Sequence, residues 1–375
     1  MANGIFDEVK KNFGFGCMRL PMKDGEVDCA HFSEMIEAFF DAGFNYFDTA
    51  HGYLDGKSEK AIRECLTSRY PRESYVLTNK LSGPFFKTEA EIRPLFESQL
   101  EACGVDYFDF YLMHAQNRTN FEKFKECRAY ETAFELKREG KVRHVGLSFH
   151  DTADILDKIL NTYPEIEVVQ LQFNYVDYED AAVQSRKCLE VARAHGKPVI
   201  VMEPVKGGTL VKLPEDAATI FDRLGGSYAS YAIRFAASFD GIFMVLSGMG
   251  NMDMMTDNVG FMKDFKPLSD EEWRAIEKVC AIFRAQDLIP CTDCKYCMER
   301  CPMQIPIPAI FSCLNSHRAF KHWNTAYYYE VETENGGAAS SCLECGACED
   351  ACPQHLHIRE LLKEAVAEFE AQSDE

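Results

Sequence analysis

Tyr107-Phe108-Asp109-Phe110-Tyr111-Leu112-Met113-His114 reads as a β-strand that, Asp109 apart, stays largely apolar on both faces until its last residue. A strand with one wet face alternates apolar and polar side chains, whereas a strand covered on both faces does not. The run Phe108–Met113 therefore predicts a strand inside a parallel sheet with helices packed on it, ending in a histidine.

Working outward, the same unit recurs. A strand over 75–79 precedes a helix-period segment over 88–103, and the segment over 121–137 precedes a strand over 142–148. Further strands are expected over 45–48, 167–172, 198–202 and 241–246, each followed by helical sequence, with a first strand near Phe15–Met18. Strands separated by helices imply βαβ units. About eight such units within the first 265 residues fit a closed α/β barrel, a (β/α)8 TIM barrel, better than an open sheet. An open sheet would also be expected to carry a glycine-rich turn after its first strand, and none is present.

After a helix over 269–285 the composition changes: cysteine, proline and turn residues dominate from Cys291 onward. Two domains are expected, a barrel over 1–285 and a small domain of helices and loops over 286–375. Net charge is −20, which argues against nucleic acid and anionic membrane as partners. No apolar stretch is long enough to span a bilayer, and Met1-Ala2-Asn3-Gly4 does not open a secretion leader. A cytoplasmic setting is expected, and 16 cysteines suggest a reducing, anaerobic cell.

Eight of those cysteines form two runs. Cys291, Cys294, Cys297 and Cys301 are followed by Pro302; Cys342, Cys345, Cys348 and Cys352 are followed by Pro353, with the same spacing. Three thiolates two residues apart on one loop can hold three corners of a cube. Zinc would instead use two paired Cys-x-x-Cys motifs. The runs resemble the bacterial ferredoxin pattern for two 4Fe-4S clusters, in which the fourth cysteine ligates the other cluster. That resemblance implies one cluster on Cys291, Cys294, Cys297 and Cys352, and one on Cys342, Cys345, Cys348 and Cys301. His355 and His357 are expected at the surface. The eight scattered cysteines read as small buried hydrophobes.

In the barrel, Asp48 and Tyr53 frame Phe47-Asp48-Thr49-Ala50-His51-Gly52-Tyr53. The next strand ends in Asn79-Lys80, and the one after it in Met113-His114. Active sites of such barrels lie at the C-terminal strand ends. A tyrosine is normally too weak an acid to protonate a carbonyl at neutral pH. An ammonium beside it favours the phenolate. Asp48 would hold Lys80, Tyr53 would act as general acid or base, and His114 would orient a carbonyl. These four residues, with Lys57-Ser58-Glu59 and Gly104-Val105-Asp106, resemble the aldo-keto reductases over residues 12–268.

That resemblance implies a carbonyl–alcohol oxidoreductase using NAD(H) or NADP(H). It places Ser148 and Gln170 on the nicotinamide carboxamide and Met202 where many relatives stack an aromatic ring. Lys206 lies in the loop after that strand. Ser247, Gly248, Asp257 and Asn258 fall in the adenosine-phosphate segment. A 2′-phosphate wants Arg or Lys; this chain has Gly248 and Met254 there, which favours NADH or a weakened dinucleotide site. Hydride transfer moves two electrons and each cluster carries one, and no flavin signature is present. The clusters are thus expected to serve a small redox protein of ferredoxin or flavodoxin type, to be structural, or to feed a substrate directly. The rival expectation is an electron-transfer module whose barrel binds a substrate or partner without hydride chemistry.

Overall fold

The computed structural model describes residues 6–180, 183–286, 288–320, 325–334 and 336–370; Met1–Gly4, read above for a leader, lie outside the described residues. The chain divides into two compact units, Met1–Pro204 with Ala229–Leu268, and Val205–Tyr228 with Ser269–Glu375.

The first unit is a closed, all-parallel barrel. Its strands are β1 (Phe13–Gly16), β4 (Tyr46–Asp48), β5 (Val76–Leu81), β6 (Phe108–Gln116), β7 (Val142–Phe149), β8 (Val168–Gln172), β9 (Val199–Met202) and β10 (Ile242–Gly248). A short antiparallel hairpin, β2 (Met22–Lys23) and β3 (Glu26–Val27), follows β1 and has no apolar run that would announce it. β1 pairs with β10 on one side and β4 on the other, so the sheet has no free edge. β1 begins two residues before the expected Phe15. Its Gly14 faces the crowded interior, where an added Cβ would lie 2.6 Å from Leu246 and 3.0 Å from Tyr46.

Alternation along the strands decides which side chains reach the site. Tyr46, Val76, Phe110, Leu112, Val168 and Ile200 all belong to the interior cluster, capped by Phe6, whose ring stands 5.0 Å from Phe110. Side chains two residues further along point the same way. This parity carries Asp48, Lys80, His114, Gln170 and Met202 to the inner side at the C-terminal strand ends. Tyr111, at an odd position of β6, faces outward and packs on Phe96 of the helix Glu89–Cys103 at 5.0 Å; Phe108, at the start of the strand, meets the same ring at 5.7 Å. Thr88 and Glu91 start that helix with a reciprocal capping box.

The second unit has its own apolar core, with Ile305, Ile310, Phe311, Leu314, Ile358 and Leu362 all buried. Leu314 and Ile310 come from the helix Ile307–Phe320, and Leu362 from Ile358–Ala365. The helix Asp270–Gln286 packs on the helix Glu215–Asp222, so both group with the C-terminal segment. Among the described residues no helix is long and apolar enough to cross a membrane.

Candidate active site and cysteine cages

Lys80 is the hub of the barrel mouth. It is fully buried on β5, and its Nζ donates to Asp48 Oδ1 at 2.5 Å, to the Thr49 carbonyl at 3.0 Å and to Tyr53 Oη at 3.1 Å. Asp48, 3% exposed at the end of β4, takes a second bond at Oδ2 from Gln170 Nε2, at 3.1 Å. Burial pushes the Asp48 carboxyl up and the Lys80 ammonium down, and each opposes the other's shift through its charge. His114 Nδ1 lies 2.6 Å from Ser82 Oγ, and its ring stands 6.0 Å from Tyr53, edge on. Burial, then the charges of Lys80 and His150, hold the imidazole well below its ordinary value, so it is neutral at neutral pH. A neutral ring anchored at one nitrogen has its other nitrogen defined as donor or acceptor.

The four tetrad residues thus converge. The expected effect of Lys80 on the phenol is corrected in one respect. Burial, with the charges of Asp48 and Glu203, holds the Tyr53 phenol well above its ordinary value, and Arg19 opposes this. In the free barrel the phenol is a protonated donor. The ammonium 3.1 Å away acts on the phenolate only after the proton has left.

The expected dinucleotide contacts divide. Ser148 and Gln170 are register neighbours on β7 and β8, and both are buried. Ser148 Oγ accepts from the Ala115 amide at 2.8 Å. Met202, which ends β9, is half-buried. Ser247 Oγ accepts from Asn258 Nδ2 at 2.9 Å, whereas Asn258 Oδ1 is buried without a hydrogen-bond partner. Gly248 and Asp257 are exposed. Lys206 belongs to the second unit and is 2% exposed there.

Four side chains escaped sequence reading as site components. Ser82 anchors His114. Glu59, 1% exposed, accepts from Asn79 Nδ2 and bonds His51 Nδ1, both at 2.8 Å. His51 is thereby turned to Glu59 and the edge of Phe85. Arg19 and Glu203 pair at 3.7 Å near the phenol. Ser82 lies two residues past Lys80, the same parity that places Lys80, and was open to that reasoning.

In the second unit the cysteines line two hollows. Cys291, Cys294, Cys297 and Cys352 line one. Cys301, Cys342, Cys345 and Cys348 line the other. Left-handed backbone recurs at matching positions in the two runs: Asp293 and Glu344, Lys295 and Gly346, Gln304 and His355. These turns coil each loop around its hollow. A single ion needs ligands converging on one point, and among the described residues no such group of His, Cys, Asp or Glu occurs. Four thiols around a volume suit the corners of a cube. His355 and His357 are exposed, and of the scattered cysteines all but the half-buried Cys29 are buried.

The closed parallel barrel and the cysteine-lined unit define a class: an oxidoreductase barrel with a 4Fe-4S ferredoxin-type domain. A model of the aldo/keto reductase family matches residues 12–281, and a model of the 4Fe-4S dicluster domain matches residues 290–356. The chain belongs to the aldo/keto reductase family. It is 27% identical over 227 residues to an NADH-specific methylglyoxal reductase of Escherichia coli, covering 55% of this chain and 67% of that protein. It is 28% identical over 279 residues to an aldo-keto reductase of Mycolicibacterium paratuberculosis, covering 72% and 87%. Among solved structures, it is similar to an aldo-keto reductase of Bacillus halodurans in its holo form, with a TM-score of 0.57 and 23% identity over 72% of this chain and 91% of that one. An aldo-keto reductase of Klebsiella pneumoniae in complex with NADPH gives 0.56 and 21%, over 72% and 95%. These two structures share the fold.

Proposed function

We propose that the barrel interconverts a small carbonyl compound and its alcohol with a nicotinamide dinucleotide, as an NAD(P)H-dependent alcohol-type oxidoreductase. The reading rests on one observation: a buried ammonium bonded at once to the Asp48 carboxylate and the Tyr53 hydroxyl. A bound dinucleotide supplies or accepts the hydride. Tyr53 gives its proton to the carbonyl oxygen in reduction and takes it back in oxidation. Lys80 stabilises the phenolate that proton loss leaves. Asp48, held at both oxygens, fixes Lys80. His114, neutral and anchored by Ser82, orients the carbonyl by hydrogen bonding.

Ser148, Gln170, Met202, Ser247, Gly248, Asp257 and Asn258 form the proposed dinucleotide contacts. The unpartnered Asn258 Oδ1 supports this, because a buried acceptor without a donor is costly unless a ligand supplies one. NADH is favoured over NADPH: neither Gly248 nor the exposed Met254 supplies a cation, and the Escherichia coli relative is NADH-specific. We propose two 4Fe-4S clusters, one in each cysteine-lined hollow, exchanging electrons with a small redox protein.

A second reading has support in the 64% exposure of Leu343 beside the exposed Cys345. It makes the chain an electron-transfer module whose barrel binds substrate without hydride chemistry. Anaerobic assays of NADH and NADPH oxidation against a panel of aldehydes and quinones separate the two. Wild-type turnover with loss in Tyr53→Phe supports the carbonyl reductase. Equal turnover in both supports the module.

A further inference from the structure

The two cysteine runs share one spacing, so the walls of the two hollows can be compared position by position. The residue after the first cysteine is Thr292 on the first hollow and Leu343 on the second. The pair after the fourth cysteine is Pro353-Gln354 on the first and Pro302-Met303 on the second. The first wall is covered: Thr292 is 2% exposed, Gln354 is 4% exposed and Pro353 is buried. Gly207, with φ of 63°, lies so close over Thr292 that a Cβ on it would stand 2.4 Å from the Thr292 carbonyl oxygen. Only glycine permits that approach. The second wall is open: Leu343 is 64% exposed, Met303 is 37% exposed, and Pro302 and Cys345 are exposed with them.

Solvent alone would sort these residues the other way. Threonine and glutamine stand on the covered wall, leucine and methionine on the wet one. A single exposed apolar side chain needs no explanation, but Leu343, Met303 and Pro302 share one wall beside an exposed cysteine. Leu343 is also the most exposed large apolar side chain among the described residues. Charge differs between the runs as well. The first carries Asp293, Lys295, Glu299 and Arg300, which cancel; the second carries Glu344, Glu349 and Asp350 and no base. Lys363 and Arg359 pair with Glu344 and Glu349, each at 2.8 Å. The exposed Asp350 has no ion-pair partner among the described residues. The open hollow is thus apolar at its wall and acidic around it.

We infer that Pro302, Met303 and Leu343, around Cys345, form the docking surface of a one-electron redox protein whose apolar contact patch is rimmed by lysine or arginine. The inference rests on the proposed clusters and their exchange with a redox protein; it says where that partner sits and which cluster it meets. A cluster behind an exposed cysteine is the one an outside carrier approaches closely. One electron passes between the second cluster and the partner's centre, so one is oxidised as the other is reduced, and no bond or proton changes hands. Electron-transfer encounters use small interfaces, which suits a wall of this extent. Basic groups on the partner meet Asp350 and the surrounding acidic surface and speed the encounter. A second copy of this chain is disfavoured as the occupant, because each carries a net charge of −20 and like charges repel.

The test is stopped-flow oxidation of the anaerobically purified holoprotein, reduced with dithionite and desalted, with iron and sulfide analysed in parallel. The probes are ferricytochrome c, a basic one-electron haem protein, and the small complex hexaammineruthenium(III). Wild type should reduce cytochrome c at a bimolecular rate that falls as salt is raised. Leu343→Ser combined with Met303→Ser should slow that reaction by about tenfold or more while the ruthenium complex reacts no more slowly. Val331→Ser, at an exposed apolar side chain on neither hollow, should leave both rates in place. An iron-replete double variant with the wild-type cytochrome rate would overturn the inference alone. So would equal slowing with both oxidants, which would mark damage to the cluster loop. So would a wild-type dimer that the double variant dissociates, which would give the surface to a second copy. Wild-type protein without iron and sulfide would overturn the cluster assignment and the inference together.

Discussion

Gln170 on β8 donates from Nε2 to Oδ2 of Asp48 on β4 at 3.1 Å, while Lys80 takes the other carboxylate oxygen. The carboxylate is therefore immobilised at both ends, and the ammonium it holds is fixed against the phenol. A hydrogen bond to a charged group is worth about 1.5–3 kcal/mol. Gln170→Leu should therefore lower kcat/KM for carbonyl reduction by about ten- to a hundredfold. Steady-state kinetics on the iron-replete variant checks this, and unchanged kinetics would show that Asp48 needs no second anchor.

The Asp48–Lys80 pair should be costly to break singly and cheap to remove whole. Taking one partner from a buried pair leaves an uncompensated charge, worth roughly 3–5 kcal/mol. Lys80→Met should melt well below wild type. Asp48→Leu combined with Lys80→Met should recover much of that stability while remaining inactive. A double variant as unstable as the sum of the single ones would contradict the pairing.

Stability should depend on pH through the closed end of the barrel. His144, on β7, stands between Glu8 and Glu167, at 2.8 and 2.9 Å. Burial disfavours its charged form, but hydrogen bonds to Glu167 and Glu8 outweigh it and lift the imidazole from 6.5 to about 9. The folded chain holds that proton more tightly than the unfolded chain does. The resulting stabilisation is complete below pH 6.5 and is lost as pH rises through about 9. Glu167 is also penalised by burial, yet His144 and Lys137 hold it down at about 2. Its contribution is present above pH 4.5 and lost as pH falls through about 2. With solvent screening allowed for, thermal melts should show a loss on the order of 1 kcal/mol across the alkaline window. His144→Gln should flatten that slope, and a wild-type melting temperature constant between neutral pH and pH 9 would contradict the assignment.

Dinucleotide preference should respond to Met254, which is 47% exposed in the first turn of its helix. An arginine there would offer a 2′-phosphate the charge-assisted donors it lacks. Met254→Arg should lower KM for NADPH by about tenfold or more and leave that for NADH little changed. Equal effects on both would place the adenosine elsewhere.

Much of this was legible in the residues. The largely apolar run of β6 implied a sheet covered on both faces, and their positions at the C-terminal strand ends carried Asp48, Lys80 and His114 to one mouth. The resemblance of the cysteine runs to the ferredoxin pattern implied the pairing of Cys352 with the first run and Cys301 with the second. Tertiary choices were not legible. Gly207 looks like an ordinary turn glycine until Thr292 is placed against it. The net direction for Tyr53 depended on burial outweighing a neighbouring ammonium, which no spacing reveals.

The most direct test follows the hydrogen itself. Reduction of the best aldehyde substrate with NADH deuterated at the transferring position, under anaerobic conditions, should yield an alcohol with deuterium on the carbinol carbon. The iron–sulfur absorbance should stay unbleached during turnover, and Tyr53→Phe should form product about 100- to 10,000-fold more slowly. Alcohol carrying only solvent hydrogen, with the clusters reduced on the way, would contradict hydride chemistry at this site.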